Sequence, residues 1–344
     1  MSTAATPENL QAPPAADPPS RQAGRNALSL LGKAGERGGL VLLLIVAIVV
    51  FSIAAPETFP TSANLQSILQ SNSVLGIVAI AAVLPFVAGQ FDLSIAANAG
   101  FGSLVCGALM SLHGWALIPA IIVAIALTSV VGLANGLIVA RLGVNSIITT
   151  LGTGSVLAGL VIWISKGNTL ATGISPKLLE FGSGKTAGIP HVFWVLFVVV
   201  LFAGYLLRQT PFGRSLYALG DNERAAQLVG MPVGRMTVIS FILGGALAGV
   251  AGVLQVSASG SADPQFGPNL LLPALSAVFL GATAIRPGEY NVTGTLIAVA
   301  FNAISISGLL LAGVADWVQN VYIGVTLIVA VALSTVFRKR RTGQ

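Results

Sequence analysis

Few side chains in this chain of 344 residues have chemistry to offer, and their spacing argues against catalysis. The single cysteine, Cys106, lies in an apolar run, which excludes a disulfide within the chain and a cysteine-based metal site. His113 and His191 fall at the edges of apolar segments, where interfacial residues sit. Gly184-Lys185-Thr186 matches the end of a phosphate-binding loop, but the glycine required five residues before Gly184 is Leu179, and no strand precedes it. No catalytic residue, metal site or cofactor is therefore expected in this chain. Asp92 is the acidic residue nearest to membrane depth. A carboxylate at the bilayer centre costs roughly 2.5–3.5 kcal/mol, which disfavours a lipid-facing position. Asp92 would either cap a helix beginning near Leu93–Ser94, meeting the positive end of its dipole, or stand in a transport path. Asn98, Asn135, Asn302 and Gln319 are further polar residues in apolar spans, suited to bonding between helices or to lining a polar path.

The most informative stretch is polar: Gln209 to Arg235, set between two long apolar blocks. Pro211-Phe212-Gly213 would break the preceding span. Asp221-Asn222 offers an N-cap, Glu223 suits a first helical turn, Ala225-Ala226-Gln227-Leu228-Val229 continues it, and Gly230 is a natural stop. Pro232 can open the next helix at its first turn. One short helix of about two turns is expected, too short to be stable alone. It needs a partner surface: either a groove on another protein, met by Ala225, Ala226, Leu228 and Val229 with Glu223 and Arg224 at the edges, or the chain's own face.

The elements that must carry this handle are greasy. Hydrophobic residues make up 55% of the chain and charged ones 8%, with a mean hydropathy of +0.89. A soluble domain carries about 25% charged residues, so an all-α polytopic membrane protein is expected. The net charge of +6 is read as basic loops at a membrane face and not as a nucleic-acid surface, because the charges sit between apolar spans. Ten apolar segments are expected, at roughly 38–55, 66–88, 94–112, 116–140, 145–164, 192–207, 237–258, 270–285, 292–313 and 317–336. Spanning takes about 20 apolar residues, so 192–207 and 270–285 are short. Ten crossings put both termini on one side. Every lysine and arginine except Lys166, Lys177 and Lys185 then falls on that side, which the positive-inside rule makes cytoplasmic. The handle, between the sixth and seventh spans, lies there too. Residues 1–37 are expected to be a disordered cytoplasmic tail, 38–337 the membrane domain, and 338–344 a basic cytoplasmic tail. Pro85 and the polar Gly89-Gln90-Phe91-Asp92 mark either a broken helix or a cytoplasmic turn. Gly132-xxx-Gly136 and Gly245-xxx-Gly249 are read as close helix packing.

The run Gly213 to Met231 resembles the cytoplasmic coupling region of the membrane subunits of monosaccharide ABC importers, the permeases for ribose, xylose, arabinose and galactose. Gly89-Gln90-Phe91-Asp92-Leu93-Ser94, Asn145 to Thr153, and Leu280-Gly281-Ala282-Thr283 with Gly294-Thr295 are similar in the same order. The similarity runs from about residue 40 to 336. Two places depart from it: Gly-Gln-Phe-Asp stands where the family commonly has Gly-Gly-Ile-Asp, and Ile285-Arg286-Pro287-Gly288-Glu289-Tyr290 replaces a Gly-rich turn. The resemblance implies a homodimer in the bacterial inner membrane, a separate ABC ATPase that binds the ATP, and an extracytoplasmic sugar-binding protein. It implies ATPase-coupling roles for Gly220, Asp221, Asn222, Glu223, Arg224, Ala226 and Gly230, with Ala226 as the close-packing position. Asp92, Asn98 and Asn302 would stand on the translocation path. The alternatives fit less well. An ion-coupled transporter places ionisable groups at mid-membrane, whereas Asp92, Glu289 and Asp316 fall near segment edges. A channel or scaffold leaves the handle without a task.

Overall fold

A computed structural model describes residues 38–342, with side chains to residue 339. The expected N-terminal tail, 1–37, lies outside the described residues, as do 343 and 344. Helices dominate the remainder: α1 (Gly38–Ala54), α2 (Ser62–Val87), α3 (Ile95–Ser111), α4 (Leu117–Leu142), α5 (Ser146–Ser165), α6 (Pro176–Ser183), α7 (His191–Gln209), α8 (Pro211–Asp221), α9 (Glu223–Leu228), α10 (Val233–Ser259), α11 (Phe266–Gly281), α12 (Val292–Leu311) and α13 (Trp317–Thr342). Two strands of two residues each, β1 (Lys185–Thr186) and β2 (Ile189–Pro190), pair antiparallel beside α6.

Seven helices, α2, α4, α5, α7, α10, α12 and α13, are long and apolar enough to cross a membrane; α1, α3 and α11 are apolar but shorter. The segment expected at 192–207 reaches spanning length, since its helix runs on to Gln209. The segment expected at 270–285 instead starts at Phe266 and stops at Gly281, leaving ten residues of connection before α12. The basic end expected as a tail from 338 is helical as far as Thr342.

Local chemistry sets the ends. Asn145 accepts from the amides of Ile147 and Ile148 to start α5, and Asn291 accepts from Gly294 N–H at 2.7 Å to start α12. The bundle closes around α2 and α10, which are buried over most of their length. Alternate glycines let α4 and α10 touch backbone to backbone. A β-carbon at Gly132 would stand 2.2 Å from the Phe241 carbonyl oxygen, and one at Gly245 would stand 2.4 Å from that of Thr128. Both small-residue pairs therefore serve one interlocked contact.

The long loop after α5 is folded onto the bundle. Ser257 Oγ donates to the Leu178 carbonyl, and Gln70 Nε2 donates to that of Gly182. Lys185 and Thr186 form β1 of the β1–β2 hairpin, which leads into α7 at His191.

Candidate functional site

The polar stretch folds as two helices, not one. Thr210 accepts from Gly213 N–H at 3.2 Å and Pro211 occupies the first turn, so the expected break is the start of α8. The reason is the proline's fixed φ, which suits a helix start as well as a stop. α8 buries Leu216 and Leu219 against the bundle. Asn222 then turns the chain and caps α9, accepting from Ala225 N–H at 3.0 Å. Gly230, at φ +77°, closes α9: its N–H donates to the Gln227 carbonyl while Met231 N–H donates to that of Ala226. This double bond pattern satisfies the last orphan carbonyls and needs a left-handed residue.

α8 touches two connections. Gly220 rests on the end of α2, where a β-carbon would lie 2.0 Å from the Val87 carbonyl oxygen. Its α-carbon also faces Gly89, a left-handed residue at φ +77°. One turn earlier, Tyr217 Oη donates to the Tyr290 carbonyl at 3.0 Å, linking α8 to the 282–291 connection. Arg338 of α13 donates to the Gly220 carbonyl at 3.4 Å.

The 88–94 connection is a buried, extended segment, and α2 runs unbroken through Pro85 before reaching it. Its backbone bonds to side chains of α5: Phe91 N–H donates to Ser146 Oγ at 3.1 Å, and Leu93 N–H donates to Thr150 Oγ1 at 3.0 Å. That is how irregular backbone survives away from water. Asp92, 2% exposed, accepts from Ser94 N–H at 2.9 Å and Ser94 Oγ at 2.6 Å. A chain of bonds continues from there. Asn135 Nδ2 of α4 donates to Ser94 Oγ, and Thr153 Oγ1 of α5 donates to Asn135 Oδ1. Burial pushes the Asp92 carboxyl up to about 6, against the two Ser94 donations that pull it down. Asp92 thus caps the turn leading into α3, since its bonds go to Ser94 and not to the helix interior.

A cavity of about 810 Å³ opens between α8, both connections, the start of α5 and the end of α13. Gly220, Asp221 and Asn222 border it, as do Phe91, Tyr217 and Tyr290. The expected path residues do not. Asp92 belongs to the 88–94 connection, but its neighbours Phe91 and Leu93 line the cavity and it does not. Asn98 Nδ2 donates to the Thr128 carbonyl at 3.0 Å, and its buried Oδ1 has no partner. Asn302 joins three helices, donating to Ser276 Oγ and accepting from Tyr322 Oη. Ala226, expected as a contact to a partner, is 4% exposed and faces the chain's own core. A helix of six residues has one inward side, and the smallest residue took it. Glu223, Arg224, Leu228 and Val229 point outward. Ser146, Thr150 and Tyr290 gained no separate role from the sequence, because nothing in it shows which loops meet.

The family model for the permease component of branched-chain amino acid transport systems matches residues 64–331. The chain belongs to this family. Among curated permeases, the ribose import permease RbsC of Escherichia coli strain K12 is 33% identical over 299 residues, covering 86% of this chain and 92% of its own. RbsC of Bacillus subtilis strain 168 is 34% identical over 302 residues, 87% of this chain and 92% of its own. The L-arabinose ABC transporter permease AraH of Azospirillum brasilense is 30% identical, covering 89% of each chain. No solved structure matches. The permease is thus a multi-pass membrane protein.

Proposed function

We propose that this permease is the transmembrane subunit of an ATP-driven importer of a monosaccharide or related polyol. The observation that carries the reading is similarity across nearly the whole of both chains to permeases that import ribose and arabinose. The chain would cross the bacterial inner membrane ten times, α1, α3 and α11 included, with both termini cytoplasmic. That topology keeps α8, α9 and nearly all the basic residues inside. It would work as a homodimer with an ABC ATPase, which binds the ATP, and an extracytoplasmic sugar-binding protein that delivers solute.

Coupling would start at α9. Leu228 and Val229, 88% and 76% exposed, would enter a groove on the ATPase, with Glu223 and Arg224 at its rim. Closure of the ATPase on ATP would push α9 and hence α8. Gly220 would pass that displacement to the end of α2 and the 88–94 connection, and Tyr217 would pass it to 282–291. Ser146 and Thr150 tie the first connection to α5, so α5 would follow. ATP would switch the path because it favours one of two arrangements over the other. In the arrangement described, Asn98 and Asn302 brace helices. The test is uptake in membranes carrying this chain alone, then with its ATPase and binding protein. Uptake of sugar only with the full set and ATP supports the reading. Gradient-driven uptake by the chain alone would falsify it. Glu223→Arg should lower uptake without lowering the amount of folded permease.

A further inference from the structure

Four aromatic rings from four separate parts of the chain meet at the inner wall of the cavity. Phe86 ends α2, Phe91 lies in the 88–94 connection, Phe279 ends α11, and Tyr290 lies in the 282–291 connection. Ring centroids stand 4.9 Å apart for Phe86 and Phe91, 5.3 Å for Phe86 and Tyr290, and 5.8 Å for Phe279 and Tyr290. Phe91 and Phe279 lie nearly parallel, with 6.2 Å between centroids. Phe91 and Tyr290 are far apart in sequence, yet both line this cavity.

We propose that this cavity is a solute site for a neutral, ring-shaped polyhydroxy compound, with Phe91 and Tyr290 setting which ring it accepts. The inference rests on the importer reading. An aromatic face carries negative charge and attracts the polarised C–H bonds on one side of a sugar or cyclitol ring. Other lining residues offer hydrogen-bonding groups. Ser334 and Thr335 of α13 donate their hydroxyl protons to the Val331 carbonyl, which leaves oxygen lone pairs to accept from ligand hydroxyls. Charges of both signs line the cavity, Asp221 and Glu289 with Arg338 and Lys339, so no ion of one sign is preferred. The volume falls within the range of about 300–1,000 Å³ usual for small-molecule sites. α8 touches both connections that carry the selective rings, so movement of the handle would reshape the wall and release the solute.

The test is saturation-transfer NMR on the full chain in lipid nanodiscs. D-ribose, L-arabinose, L-fucose, myo-inositol and L-leucine would each be offered at millimolar concentration. Transfer to the ring C–H protons of at least one polyhydroxy compound is expected, and none to leucine. Phe279→Ala should weaken the affinity about fivefold. Phe91→Ile, which keeps an apolar side chain beside Phe86 and Phe279, should change the order of preference among the panel. Tyr205→Leu, on the exposed face of α7, should change neither. Binding of leucine alone, no binding of any probe by folded protein, or affinities unmoved in both cavity variants would overturn the proposal. ATP-driven sugar uptake that ignores the cavity variants would overturn it while leaving the importer reading intact. Cavity binding without any ATP-driven uptake would do the reverse.

Discussion

α8 and α9 are neighbours on one polar stretch, yet they relate to the rest of the molecule in opposite ways. α8 turns its apolar residues inward, and Gly220 lets its backbone lie against α2. α9 turns only Ala226 inward and leaves Leu228 and Val229 in solvent. On the proposed coupling, α8 as transmitter would be fixed to what it moves and α9 as receiver would keep a face open. Length explains the division: α8 has eleven residues and can bury a stripe, whereas α9 has six and cannot.

The largest effect expected to break this contrast is Gly220→Val. The obstacle is backbone, which cannot swing aside, so a loss of about 3 kcal/mol or more is expected. A thermal melt in detergent would show it; an unchanged midpoint would mean that α8 does not rest on α2. Asp92→Asn tests the connection beneath α8. Its carboxyl is raised from 3.8 to about 6, so the protonated form is favoured in the folded chain and stability is lost as pH rises through about 6. Asparagine keeps the acceptor for Ser94 and carries no charge. It should remove a pH dependence of about 3 kcal/mol between pH 4 and 7, read as melts across that range; wild-type melts flat over the window would refute it. Leu228→Asp with Val229→Asp should leave the unfolding free energy within about 0.5 kcal/mol of wild type, as exposed substitutions do. The same pair should abolish co-purification with the ATPase. Retained co-purification would move the receiving face elsewhere. Asn222→Ala removes only the α9 cap, costing about 1 kcal/mol locally; faster amide exchange at Ala225 would report it, with α8 unaffected.

Ala226→Trp does not separate coupling from folding. The side chain would enter the chain's own core, and the fold would suffer before any partner was met.

Much of the architecture was legible beforehand because its signals are local. Apolar runs of spanning length declare their helices, and Asn222 with Gly230 declares a short helix, since a cap and a left-handed stop act within a few residues. Gly132 and Gly245 announced close packing because only hydrogen lets backbones meet. The break before Pro211 was legible but α8 was not, because proline after a polar residue signals both an end and a beginning.

By itself, the sequence determined a polytopic helical permease with a polar handle, because hydropathy and capping are properties of neighbouring residues. Only the tertiary structure decided which way each small residue faces, that Gly220 lies on Val87, and that Phe91 and Tyr290 line one cavity. Those contacts join residues as much as two hundred positions apart, and packing, not local preference, selects which distant backbones come within reach.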